Sequence, residues 1–144
     1  MFEVVPQFPP VTPHEAVDFI LLLYIYVNTA PVFIVEVKPL TDFRFPSKRQ
    51  GADLQLRRRF LDISPDMKIP VLHELSAFGT KIAFYRYDER TGFLDPESIA
   101  RDACVLTDTA PKEWWCYGIV EQEGADKFRE IVGEVKKMCK NGLF

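Results

Sequence analysis

The chain has 144 residues, of which 47% are hydrophobic, 13% aromatic and 27% charged, the profile of one folded globular domain and not of a disordered or fibrous chain. A net charge of −3 argues against a general nucleic-acid coat. Three widely spaced cysteines (Cys104, Cys116, Cys139) and two isolated histidines make no zinc motif, so the cysteines are expected as reduced thiols of the core.

Prolines at positions 6, 9, 10 and 13 make residues 1–14 an extended arm rather than an element. From Ala16 to Val27 the chain is apolar, aromatic and β-branched, which reads as a strand. The apolar run from Phe19 falls short of the roughly twenty residues that a membrane span needs. The amino terminus has no basic start or small-residue cleavage site. An intracellular protein without a membrane partner is therefore expected. Asn28 to Pro31 read as a turn, Val32 to Val37 as a second strand ended by Pro39, and the two strands as a hairpin.

Ser47 to Ile63 reads as a helix, with Ala52, Leu56, Phe60 and Ile63 at helical spacing and Ser47 as its cap. Arg59 falls close to that apolar stripe and is expected to need an acidic partner. Val71 to Leu75 and Lys81 to Tyr87 read as strands, the second covered on both faces because Ile82 and Phe84 alternate with Ala83 and Tyr85. Asp95 to Cys104 reads as a short helix with Pro96 in its first turn. In the last segment Phe128, Ile131, Val132, Val135, Met138 and Cys139 form one helical stripe, stopped by Asn141-Gly142. Trp114, Trp115 and Tyr117 are expected to seal the near end of that helix by packing, not to stack bases.

Two sets of residues carry chemistry. Between Arg44 and Arg59 there are six basic residues (Arg44, Lys48, Arg49, Arg57, Arg58, Arg59) against one acid, Asp53. Such a run is either a solvated helix face or a local phosphate-facing patch. The second set is Val35-Glu36-Val37-Lys38. Side chains two apart on a strand share a face, so Glu36 and Lys38 sit side by side at the end of an apolar strand. A carboxylate that holds a divalent cation, next to a lysine that orients the attacking water, suits phosphodiester hydrolysis. Asp18, the one acid of the preceding apolar segment, can join them across the hairpin. A tight turn at Asn28-Thr29 sets it opposite about Pro39, so bringing it level with Glu36 needs a bulge. The bland alternative is a surface ion pair on an edge strand. His73 reads as structural, and glycine-rich phosphate loops and a Gly-x-Ser-x-Gly elbow are absent from the sequence.

On Asp18, Glu36 and Lys38, with the helix and strands that follow, the chain resembles the PD-(D/E)XK nuclease superfamily over roughly Glu15 to Tyr87. The resemblance implies an α/β fold with a restriction-endonuclease-like mixed sheet flanked by helices, a core over 15–88 and a C-terminal helical part over 89–144. It implies Mg2+ or Mn2+ held by Asp18, Glu36 and the carbonyl of Val37, with Lys38 and Gln55 as catalytic partners and Gln50 as the second choice of glutamine. Lys48, Arg49, Arg57, Arg58 and Arg59 are then the residues that face DNA. Val17 stands where the superfamily's proline would be, and its leading helix has no counterpart in 1–13. A DNA-hydrolysing enzyme is thus expected. The alternatives are an inactive module of the same fold that binds protein or nucleic acid, and a homodimer that exchanges hairpins or arms.

Overall fold

The structure is a computed structural model that describes residues 2–7 and 21–141; Asp18, Glu15 and the part of the expected strand before Leu21 lie outside these. The described strands form one seven-stranded, mostly antiparallel open sheet, accompanied by two α-helices. The strands are β1 (Phe2–Pro6), β2 (Leu21–Val27), β3 (Ala30–Lys38), β4 (Val71–Phe78), β5 (Lys81–Asp88), β6 (Phe93–Asp95) and β7 (Tyr117–Gly118). The helices are α1 (Pro46–Ile63) and α2 (Gln122–Lys140).

The order along the sheet is β1-β2-β3-β4-β5-β6, with β7 pairing the other end of β5. Only β3 and β4 run parallel, because α1 carries the chain back between them. The expected hairpin is present: Val27 faces Ala30 across a two-residue turn in which Asn28 and Thr29 have φ of 48° and 68°. Two positive φ values are what the twist of a tight hairpin demands. The register then slips by one residue between Ile25 and Tyr26, a bulge, and Leu22 faces Glu36.

Alternation along the strands sorts two cores onto the two faces of the sheet. On one face Ile34, Leu72, Phe78, Ala83 and Tyr85 meet Ala52, Leu56, Phe60 and Ile63 of α1, the stripe the sequence predicts. On the other face Phe33, Leu75, Ala77 and Ile82 meet Ile131 and Val135 of α2, with Phe128, Met138 and Cys139 packed at the margin. All eight residues of β4 are buried, as a strand covered on both faces requires. Gly124 lets α2 close onto the sheet, since a Cβ there would lie 1.9 Å from the Gly118 carbonyl oxygen. No helix among the described residues is long and apolar enough to cross a membrane.

Several expectations are corrected. Phe2–Pro6, within the predicted arm, is extended but pairs with β2 as an edge strand, where a proline is tolerated because its missing N–H breaks no inner ladder. The helix expected over 95–104 is absent, and residues 96–111 carry no helix or strand. Ile99, Val105 and Leu106 there are exposed, so a helix so short would have no buried stripe to hold it. Helix α1 is entered through Phe45 and Pro46 with no side-chain cap, not through Ser47. Trp114 and Trp115 pack on the α1 face against Phe43, Phe78 and Tyr85, so only Tyr117 packs on the α2 side. Cys104 and Cys116 are exposed and not core thiols, the first because its segment forms no element.

Candidate functional site

Glu36 and Lys38 leave β3 on the α1 face, as their spacing predicts, and both are buried, with 0% and 5% of their surface exposed. A surface ion pair on an edge strand is thereby excluded, since β3 lies inside the sheet. Lys38 Nζ donates to Gln55 Oε1 of α1 at 3.1 Å and stands 3.9 Å from Glu36 Oε1. Gln55 is thus brought to Lys38, whereas Gln50 instead reaches Asp108 Oδ1 at 3.4 Å. Gly79 fixes the end of the strand: its N–H donates to the Lys38 carbonyl at 2.9 Å, from a backbone with φ of +60°.

Arg59 finds two acidic partners. Its Nη2 donates to Glu36 Oε2 at 2.6 Å, and its Nη1 donates to Glu74 Oε1 of β4. Burial pulls the guanidinium down, but the two carboxylates outweigh it and hold Arg59 above its usual value. Glu74 moves the other way: full burial pushes its carboxyl up to about 8, more than the Arg59 charge, shared with Glu36, recovers. Burial also raises the Tyr24 phenol beside this group, with Arg59 opposing. Glu74 was not singled out from the sequence. Its signal was a lone acid inside a strand that reads Val71-Leu72-His73-Glu74-Leu75.

The basic run divides. Arg49 is 1% exposed and works inside the fold, donating from Nε to the Ala110 carbonyl at 3.0 Å, from Nη1 to the Phe43 carbonyl at 2.7 Å and from Nη2 to Asp108 at 2.6 Å. Arg57 pairs with Asp53 at 3.0 Å and donates to the Pro96 carbonyl at 2.8 Å. Asp53 also accepts from Tyr85 Oη at 2.8 Å. Arg49, Arg57 and Arg59 therefore hold the fold together instead of facing a nucleic acid. Lys48 and Arg58 of the predicted set are exposed, as is Arg44. His73 is buried under α2, with Nε2 3.4 Å from Glu134 Oε1, the structural place expected of it.

A cavity of about 270 Å³ opens where β3 ends, lined by Lys38, Asp42, Ser47, Lys48, Gly51 and Gln55. Asp42 lies on a 3₁₀ turn, Leu40–Asp42, between β3 and α1. The cavity sits outside the carboxyl end of the parallel pair, the usual place for a ligand in an α/β sheet.

For a divalent cation the described acid expected at the site, Glu36, offers a fitting ligand atom. Glu36 Oε1 is buried without a hydrogen-bond partner among the described residues and faces Lys38, so it has an acceptor position to give. No group of three or more His, Cys, Asp or Glu able to hold a metal occurs among the described residues. The second acid expected of the site, Asp18, lies outside them. No family model, curated protein or solved structure matches the chain.

Proposed function

We propose that the chain is a metal-dependent nuclease of the restriction-endonuclease-like type that hydrolyses DNA phosphodiester bonds. The observation that carries this reading is the meeting of Lys38 with Gln55 at 3.1 Å and with Glu36 at 3.9 Å, at the mouth of a polar cavity. Glu36 and Lys38 come from β3 and Gln55 from α1, and their convergence is what a hydrolytic site needs. The element order supports it too: a three-stranded meander β1-β2-β3, then α1, then β4 beside β3, agrees with the superfamily's core. Strand β1 fills the place of the meander's first strand.

Glu36, with Asp18 and the Val37 carbonyl, would hold Mg2+ or Mn2+, which supplies charge neutralisation at the scissile phosphate and a more acidic water. Lys38 has the chemistry to orient that water, and Gln55 fixes the Lys38 ammonium by accepting its hydrogen bond. Burial of Lys38 between Glu36 and Gln55 leaves it few rotamers, so its position is set before substrate arrives. Lys48, Arg58 and Arg44 are the exposed cations of the basic run left to meet the phosphate backbone.

A second reading is favoured by one contact. Arg59 already takes Glu36 Oε2 and holds Glu74 with its other arm, and Lys38 stands 3.9 Å from Glu36, so the chain's own cations occupy this carboxyl pair without an added ion. In that case the chain is an inactive module of the same fold that binds nucleic acid or protein. A cleavage assay with Mg2+ or Mn2+ on single-stranded, duplex and branched DNA separates the two. Metal-dependent cleavage that Lys38→Ala abolishes, with the variant still folded, supports the enzyme. A folded wild type that cleaves none of them supports the module.

A further inference from the structure

The cavity beside Lys38 contains a residue that helix formation does not explain. Gly51 lies inside α1, an 18-residue helix, and glycine is among the least favourable residues for a helix interior. Where a glycine survives in such a place it commonly admits a close neighbour, as Gly124 does for the Gly118 carbonyl. Gly51 admits none: a Cβ built there meets nothing within 4 Å, which is also true of the exposed Gly133 of α2, but Gly51 lines the cavity. Its backbone is ordinary helix, so no unusual φ requires it either. What Gly51 leaves is room, and that room belongs to the cavity.

The lining chooses the ligand. Two ammonium groups, Lys38 and Lys48, and the Ser47 hydroxyl offer donors to an anion, while the Asp42 carboxylate repels one and accepts from a hydroxyl or amino group. A ligand that satisfies both has an anionic end and a donor-bearing end within one small volume. At about 270 Å³ the cavity is close to the lower bound of roughly 300 Å³ for small-molecule sites, space for one such unit and not for a larger body.

We propose that this cavity seats one nucleotide unit of a nucleic-acid strand, its phosphate on Lys38 and Lys48 and its sugar or base donor on Asp42, with Gly51 setting the size limit. The assignment of the strand rests on the nuclease reading above, because Lys38 serves both. Gly51 acts here as a specificity-determining residue, and the helix gives up stability to keep it.

The experiment compares wild type with Gly51→Ala, Gly51→Leu and Lys48→Ala. It reads thermal midpoint, affinity for a fluorescent 5′-phosphorylated dinucleotide, and divalent-metal-dependent cleavage of DNA. Gly51→Ala is expected to raise the midpoint by about 3 °C, because alanine is the better helix former. Gly51→Leu is expected to weaken dinucleotide affinity at least tenfold, and Lys48→Ala to weaken it severalfold. Unchanged affinity in Gly51→Leu overturns the proposal. So does unchanged affinity in Lys48→Ala, which decides the matter if Gly51→Leu does not fold. A wild type that cleaves DNA but does not bind the dinucleotide also overturns the seat while leaving the nuclease reading intact. A wild type that binds the dinucleotide through Gly51 and Lys48 but never cleaves upholds the seat and removes the nuclease reading.

Discussion

Arg59 of α1 donates to Glu36 of β3 across 2.6 Å in the interior of the sheet's α1 face, and its other arm holds Glu74 of β4. Removing the guanidinium leaves the Glu36 and Glu74 carboxyl groups buried without the cation they share. Arg59→Met is expected to destabilise the protein by about 3–5 kcal/mol, the cost of breaking a buried charge set by deleting one member. Urea denaturation monitored by tryptophan fluorescence measures it. A loss under about 1 kcal/mol, the range of an exposed pair, would show that water reaches this network.

The Glu74 carboxyl titrates at about 8 in the folded chain against an ordinary 4.5, because burial outweighs the attraction of Arg59. The other charged groups acting on it are Glu36 and Lys38 of β3. With the folded value above the unfolded one, folding takes up a proton. The favourable contribution is full below about 4.5, declines as pH rises, and is gone above about 8. Wild-type stability is therefore expected to fall by on the order of 3 kcal/mol between pH 5 and 8.5 relative to Glu74→Gln, which keeps an acceptor for Arg59 but cannot titrate. Unfolding free energies in half-unit pH steps for both proteins test this; parallel curves would refute it.

Lys38 and Gln55 differ in what their loss should do. Lys38→Ala removes the group that orients water and is expected to lower metal-dependent cleavage by about 10²-fold or more, in the range of general acid-base contributions. Gln55→Ala removes a charge-assisted hydrogen bond to Lys38 and not the water-orienting group itself, so about a tenfold loss is expected. Single-turnover cleavage rates at saturating metal give both values. Equal losses would mean that Gln55 itself touches the substrate.

Arg49 and Arg58 share the basic run and helix α1, but one is buried and the other exposed. Arg58 is exposed, and Arg58→Ala is expected to leave stability unchanged while lowering the salt dependence of DNA binding by about 0.9 in log-log slope, one phosphate contact. Arg49 is buried on two carbonyls and Asp108, so Arg49→Ala is expected to cost about 3 kcal/mol or more in stability. Fluorescence anisotropy at several salt concentrations, beside thermal melts, distinguishes the two. The reverse pattern would place the DNA face elsewhere.

Periodicity made the helix stripes legible: Ala52, Leu56, Phe60 and Ile63 lie where spacing puts them, as do Ile131 and Val135. The hairpin turn at Asn28-Thr29 and the need of Arg59 for an acid were legible for the same local reason, whereas Gln55 was pointed to by the family resemblance alone. Partners from distant segments were not. Glu74 reaches Arg59 only because α1 sets β4 parallel to β3, and sequence spacing does not encode which strand becomes the neighbour. Arg49 and Arg57 read as surface cations because their acceptors, the Ala110 and Pro96 carbonyls, are backbone atoms of a segment with no pattern of its own. Phe2–Pro6 was hidden by the prolines around it, which exclude a helix but permit an edge strand.

The crossover of β3, α1 and β4 has a dynamic consequence. Glu36, Arg59 and Glu74 tie its three parts together, so none of the three can open without exposing buried charge. Amide exchange there should proceed only through global unfolding, whereas β1 and the three-residue β6, at the two margins of the sheet, should exchange by local fraying. The wall that carries Lys38 is then the slowest part of the molecule. Adaptation to a ligand falls to the other side of the cavity, to the short turn that bears Asp42 and the first residues of α1.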